Sequence, residues 1–242
     1  MRFTRNIIWS IAVTIVSLII RPMKKAVIFD MDGVIIDSEG VYLEYQLEFA
    51  KKKNPNVKLE DLYPMVGATK QECWEVVERV VSNGQTWEEL RNEFRRRDIY
   101  SEIDYRSIYR LEVTDTLKQL KEAGFRLALA SSTHLELVER VLKENEIRDY
   151  FEAVVSGEQF KKSKPDPEIY LYTAEQLKLK PEECLAVEDS TIGITAAHRA
   201  GLKIAAVIDT RYGFDQSLAD YKLNRVKEVL EAVKVHRIGY TD

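Results

Sequence analysis

From Lys25 onward the chain alternates short, wholly apolar runs with amphipathic stretches, and this alternation restricts its fold more than any other feature. Apolar runs bounded by polar turns suit strands buried on both faces, and the amphipathic stretches between them suit crossover helices. The expected class is therefore α/β, with a Rossmann-like parallel sheet core. Strands are expected at Ala26 to Phe29, Arg126 to Ala130, Ala153 to Val155, Cys184 to Val187 and Lys203 to Val207. Helices are expected at Val113 to Ala123, Leu135 to Glu144, Pro167 to Leu177 and Thr191 to Ala200, with Gly124 and Gly201 where C-terminal caps belong.

The alternation fails once. Between the first strand and Val113 the sequence shows helical periodicity, many charges and no strand pattern. Helices are expected there at Asp37 to Lys53, Lys70 to Asn83 and Trp87 to Asp104. The implied division is an α/β core from residues 23–36 and 111–242, with an all-helical cap, residues 37–110, inserted after the first strand. The crossing points near Asp37 and Leu111 are expected to act as hinges.

Ahead of the core, residues 1–22 form an apolar extension. The run Asn6 to Ile20 follows Arg2 and Arg5 and resembles a signal h-region. As a helix, Ile7 to Ile20 would span about 21 Å, short of a bilayer core of about 30 Å, and no A-x-A cleavage site follows. An upstream extension, with Met23 opening the folded unit, is preferred to a membrane anchor through residues 7–20.

Composition narrows the partners. A net charge of -4 gives no cationic footprint for nucleic acid. The basic runs Lys51 to Lys53 and Arg95 to Arg97 are interleaved with acids and read as solvated helix faces. Cys73 and Cys184 stand far apart in no metal-ligand pattern, which favours two reduced thiols and a reducing, cytoplasmic compartment.

The chemistry concentrates where apolar runs end. The first delivers Asp30 to the strand's C-terminal edge, and Asp32 follows on a turn eased by Gly33. One carboxylate can ligate a metal and attack an electrophile while the other, two residues on, acts as general acid. An EF-hand loop also begins Asp-x-Asp, but its sixth position would be Ile35 and its twelfth Val41, and a strand rather than a helix precedes it. Later strands end in Ser131-Ser132-Thr133, a turn opening a helix that is either an ordinary cap or an anion site. They also lead to Lys164-Pro165-Asp166-Pro167 and to Glu188-Asp189-Ser190. Hard oxygen ligands in this number suit Mg²⁺.

The motifs FDMDGV, ALASS, SKPDP and VEDS, in that order at strand ends, resemble those of the haloacid dehalogenase superfamily, in its helical-capped phosphatase and β-phosphoglucomutase-like branch. The resemblance covers Lys24 to about Lys234. It implies that Asp30 is the nucleophile that becomes an aspartyl phosphate and that Asp32 is the acid/base, touching Mg²⁺ through its backbone carbonyl. It further implies that Ser131 and Lys164 hold the transferring phosphoryl oxygens, assisted by Ser132, and that Glu188 and Asp189 complete a metal site with Asp30 and Asp32. In the cap, Met65 to Lys70 looks like a substrate-specificity loop, with Gly67 and Lys70 as substrate-binding candidates, although an ordinary helix start reads the same way.

The expected activity is a Mg²⁺-dependent phosphatase acting on a small phosphorylated metabolite, such as a sugar phosphate, as a monomer. A sugar phosphomutase is the alternative, and a non-catalytic binding protein a remote one. Proteins resembling β-phosphoglucomutase carry a histidine ten residues after the second aspartate and an arginine in the cap loop. Here those positions hold Tyr42 and Lys70, and lysine does not reproduce arginine's bidentate grip on a second phosphate. The stretch Ile36 to Glu39 instead looks like sugar-phosphate phosphatases.

Overall fold

The computed structural model of the protein describes residues 24–234. The apolar run at residues 7–20 lies outside them, and no helix of the described residues is long and apolar enough to cross a membrane. Six parallel strands form one sheet in the order β3-β2-β1-β4-β5-β6. They are β1 (Ala26–Phe29), β2 (Arg126–Ser131), β3 (Ala153–Ser156), β4 (Cys184–Glu188), β5 (Lys203–Val207) and β6 (Tyr221–Leu223). β1 is central, paired on one side with β2 (Phe29 opposite Leu129) and on the other with β4 (Phe29 opposite Val187). The strand order reverses there, and the carboxyl ends of β1, β2 and β4 meet where open α/β sheets bind ligands.

The two faces of the sheet are packed differently. Val27, Phe29, Leu127, Leu129, Leu185 and Val187 point to one face, where they meet α5 (Glu112–Glu122) and α6 (Leu135–Glu144). Ala26, Ala128, Ala130, Ala186 and Ala206 point to the other, against α7 (Glu168–Gln176) and α8 (Thr191–Arg199). Alternation with period two separates the bulky set from the alanines, so α7 and α8 can lie close to the backbone. Each fully buried Leu or Phe contributes roughly 1.5–3 kcal/mol of transfer free energy, so the bulkier face supplies the larger share of the core.

The named elements between β1 and α5 are all helical: α1 (Glu39–Lys53), a 3₁₀ segment (Leu59–Met65), α2 (Lys70–Val81), α3 (Trp87–Phe94) and the one-turn α4 (Ile99–Glu102). It packs a hydrophobic cluster of its own, with Leu62, Val77 and Leu90 fully buried and Phe49, Trp74 and Phe94 in mutual edge or tilted contact. T-x-x-E sequences start α2 and α3. Thr69 and Thr86 accept from the amides of Glu72 and Glu89, whose carboxylates return the bond at 2.8 and 2.9 Å.

The expected third helix of this interval is not continuous. It stops at Phe94 and restarts at Ile99, because Asp98 turns its carboxylate onto the amide of Ser101 at 3.4 Å and caps a new turn. β6, the 3₁₀ segment and the C-terminal α9 (Val229–Lys234) have no counterpart in the sequence expectations. Arg97, in the break, pairs with Glu102 at 2.6 Å and Glu48 at 2.8 Å, and Lys52 and Lys53 pair with Glu48 and Glu93 at 2.8 Å, so three of the six residues of the basic runs are held in surface ion pairs.

Candidate active site

Asp30 follows β1 directly, and its amide extends the ladder by donating to the Val187 carbonyl at 2.9 Å. Two glycines let the backbone close around the acids of β4. A Cβ on Gly33, which has φ +77°, would stand 1.9 Å from Asp189 Oδ2, and one on Gly193 in α8 would stand 2.0 Å from Glu188 Oε1. The acidic pair and the Asp30–Gly33 loop thus interlock only without side chains at those positions.

Lys164 is the hub. Its Nζ reaches Asp30 Oδ1 at 2.5 Å, Glu188 Oε1 at 2.6 Å and the Ala130 carbonyl at 3.1 Å, with 4% of the residue exposed. Tyr170 on α7 lies beside it and donates its hydroxyl to Glu188 Oε1 at 2.6 Å. The other oxygen of Glu188 accepts from the Asp189 amide and the Ser190 hydroxyl. Burial opposes the ammonium charge, but the carboxylates of Asp30 and Glu188 outweigh it and hold the Lys164 pKa well above its ordinary value.

One ammonium among three buried carboxyl groups leaves negative charge uncompensated. Accordingly Asp30 and Asp189 are both pushed well above the ordinary carboxyl range. Burial is the main cause for each; Lys164 offsets it only partly at Asp30, and Glu188 adds to it at Asp189. Oxygens of Asp30, Glu188 and Asp189 lie within 4.8 Å of one another. Among the described residues no donor reaches the Asp189 carboxyl or the second oxygen of Asp30. Hard oxygens that converge, several of them without donors, and that together carry excess negative charge fit a divalent cation.

Asp32 stands apart from this cluster. Its Oδ1 accepts from Ser38 at 2.6 Å and its Oδ2 from Thr133 at 2.8 Å. Burial raises its pKa although both hydroxyls work in the opposite direction, so the protonated form persists to a higher pH than in an exposed aspartate.

Ser131, fully buried at the end of β2, accepts from the Thr133 amide at 3.1 Å, and Ser132 follows, half-buried. These hydroxyls do not cap α6. Its N-cap is His134, which makes no side-chain cap, so the plain capping reading of Ser131 to Thr133 does not hold. Gly67 (φ +73°) packs against the segment after β5, where a Cβ would stand 2.7 Å from the Phe214 ring. Lys70 opens α2, and its side chain lies outside the described part of the structure.

Four participants were not assigned from sequence. Thr133 and Ser38 hold Asp32, Tyr170 holds Glu188, and Gln216 donates to the carbonyls of Asp189 and Val207 at 2.6 and 2.8 Å. Ser38 and Thr133 sit inside quoted motif stretches and were legible as hydroxyls. Nothing in the sequence marks Tyr170 or Gln216.

Residues 27–207 match the family model described as haloacid dehalogenase-like hydrolase. The chain is 34% identical over 202 residues to a phosphorylated carbohydrates phosphatase of Thermotoga maritima, covering 82% of this chain and 88% of that one. It is 30% identical over 214 residues to hexitol phosphatase B of Escherichia coli, covering 84% and 93%. The fold matches a β-phosphoglucomutase of Clostridium difficile with a TM-score of 0.70 at 21% identity, covering 88% of this chain and 97% of that one.

Proposed function

The chain belongs to the haloacid dehalogenase-like hydrolase family, and from that premise we propose that it is a Mg²⁺-dependent phosphatase of small phosphate monoesters, with Asp30 as nucleophile. The observation that carries the reading is the donor-free oxygen of Asp30. Lys164 grips its other oxygen at 2.5 Å, inside a cluster that needs a further cation. In this reading Asp30, Glu188 and Asp189 would hold Mg²⁺ together with the Asp32 backbone carbonyl. When bound, the ion offsets phosphate charge that would otherwise repel an attacking carboxylate.

The steps follow from the chain's own groups. Lys164 and the hydroxyl and amides after β2 orient the phosphoryl oxygens. The free oxygen of Asp30 attacks phosphorus, and the ester oxygen leaves with the proton of Asp32, giving an acyl phosphate on Asp30. Asp32, now a carboxylate held by Ser38 and Thr133, removes a proton from water. That water attacks the same phosphorus, releasing inorganic phosphate and restoring Asp30. The elevated pKa of Asp32 suits the first of its two roles.

The helical insertion, residues 37–110, is proposed to act as a cap that covers this edge and reads the alcohol, through Gly67 and Lys70 among others. The partner is a small phosphorylated metabolite, a sugar phosphate being the class that the named relatives support. A monomer in the cytoplasm completes the proposal. The test gives residues 23–242 Mg²⁺ with sugar phosphates, phosphoglycolate and nucleotides, and runs β-glucose 1-phosphate with its bisphosphate primer in parallel. Released phosphate supports the phosphatase, glucose 6-phosphate without free phosphate points to a mutase, and silence leaves a binding protein.

A further inference from the structure

The two crossings between the core and the inserted helices pair with each other, Asp37 donating its amide to Ile108 at 2.8 Å and Arg110 donating to Ile35 at 3.1 Å. Near the second crossing, Arg140 of α6 grips the carbonyls of Tyr100 and Ile103. The far end of the insertion, with the Met65 to Lys70 loop, meets the core through the segment after β5. The hydrophobic cluster of the insertion is built from residues 43–94, and Tyr212 is the one residue from outside that span packed against it among the described residues. Its ring meets Tyr63 edge-on, 5.9 Å between centroids, and its hydroxyl would lie 3.7 Å from a Cβ on Gly40 in α1. Phe214, 6.0 Å from the Tyr212 ring, fills the space that a side chain on Gly67 would need. Gly213 between them has φ +71°, a turn that lets both rings face the insertion.

The segment that carries the two rings is itself fixed to the core. Arg211 binds Asp37 at the first crossing through two guanidinium nitrogens, at 2.7 and 3.1 Å, and Asp209 at 2.6 Å. The Asp215 amide donates to the Thr191 hydroxyl at the start of α8, at 2.8 Å. Gln216 is buried and holds the carbonyls of Asp189 and Val207. Phe214 is two residues from Gln216, at most about 7 Å of extended chain. The ring against Gly67 is therefore tethered to the backbone of one of the site's acids, and the Met65 to Lys70 loop takes its position from the core.

We propose that Tyr212 and Phe214 are positioning residues, a clasp from the core that holds the Met65 to Lys70 loop at the edge of the active site. The inference rests on the phosphatase reading for what that loop does, which is to contact the alcohol part of the ester. Both rings act through Tyr63 and Gly67 and not on the phosphoryl group. An aromatic contact of this kind shifts the balance between a docked and an undocked loop by about three- to tenfold.

Hydrogen exchange and steady-state kinetics on the full chain test the clasp. The amides of Val66, Ala68 and Thr69 are hydrogen-bonded, so their exchange reports opening of the loop. Phe214→Ala and Tyr212→Ala should each speed that exchange by about three- to tenfold while α2 exchanges as in the wild type. Gln216→Leu alters no contact with the insertion, yet it should loosen the same amides because it frees the clasp from the core. On the best-hydrolysed ester of the panel above, Phe214→Ala should raise KM by about three- to tenfold at unchanged kcat, a division that a merely structural contact would not produce. Unchanged exchange in the ring variants, faster exchange spread over the whole insertion, or an unaltered KM would each overturn the clasp. If the wild type hydrolyses no ester, the phosphatase reading has failed on its own. Exchange then judges the clasp alone: selective loosening of residues 66–69 supports it, and none rejects it.

Discussion

Two walls meet at Asp32, and they are built on opposite terms. Toward the sheet, Lys164 ties Asp30 and Glu188 together with short charge-assisted bonds, and carboxylate oxygens of Asp30, Glu188 and Asp189 converge within 4.8 Å of one another. Toward the inserted helices, the carboxylate of Asp32 is met by the neutral hydroxyls of Ser38 and Thr133, with Glu39 nearby. The first wall is organised for charge before any ligand arrives. The second holds its acid with neutral donors, so the two aspartates that follow β1 stand in opposite surroundings.

That contrast is broken most forcefully at the first wall. Asp30→Asn keeps the size of the side chain but cannot form an acyl phosphate, so turnover should fall by at least about a thousandfold while circular dichroism is unchanged. Retained activity would remove the nucleophile. Lys164→Met leaves two buried carboxylates without their ammonium and should cost about 3–5 kcal/mol in urea unfolding, besides activity. A milder loss would mean that the cluster sheds its charge by other means.

The cation gives the next largest effect. At a hundredfold excess over its dissociation constant, Mg²⁺ should stabilise the protein by about 2.7 kcal/mol, seen as a rise in Tm that EDTA reverses and Asp189→Asn abolishes. An equal rise in that variant would place the ion elsewhere.

The second wall gives a smaller, pH-dependent effect. Burial, reinforced by Asp32, Asp209 and Asp37, raises the pKa of Glu39 to about 7, against about 4.3 when unfolded. The folded state therefore binds this proton more tightly, and the resulting stability is full at low pH and lost as pH rises through about 7. Glu39→Gln removes the titration, so its stability relative to wild type should improve between about pH 5 and pH 8, by on the order of 1–2 kcal/mol because the side chain keeps some contact with water. A difference independent of pH would show Glu39 to be more solvated than the fold implies.

The same contrast explains what was readable in advance. Asp30, Glu188 and Asp189 stand at strand ends, and strands announce themselves by apolar runs, so five of the six strands and the acidic edge were legible; β6, three residues with the exposed Lys222 at their centre, was not. Gly33 was legible only as a turn; that it and Gly193 vacate space for Asp189 and Glu188 depends on how strands far apart in sequence lie together. Tyr170 and Gln216 reach the site from a helix and a loop whose pattern shows only burial. The break at Asp98 was missed because a side-chain cap competes with helix propagation without disturbing the apolar spacing.

The central claim is a covalent bond between Asp30 and phosphorus. A single turnover with Mg²⁺ and a hydrolysed ester, quenched in acid and reduced with borohydride, converts an acyl phosphate into the corresponding alcohol, which peptide mass spectrometry locates. The account predicts homoserine at position 30 and nowhere else, absent when substrate is withheld. Full turnover with Asp30 unmodified, or the mark on another carboxylate, would contradict it.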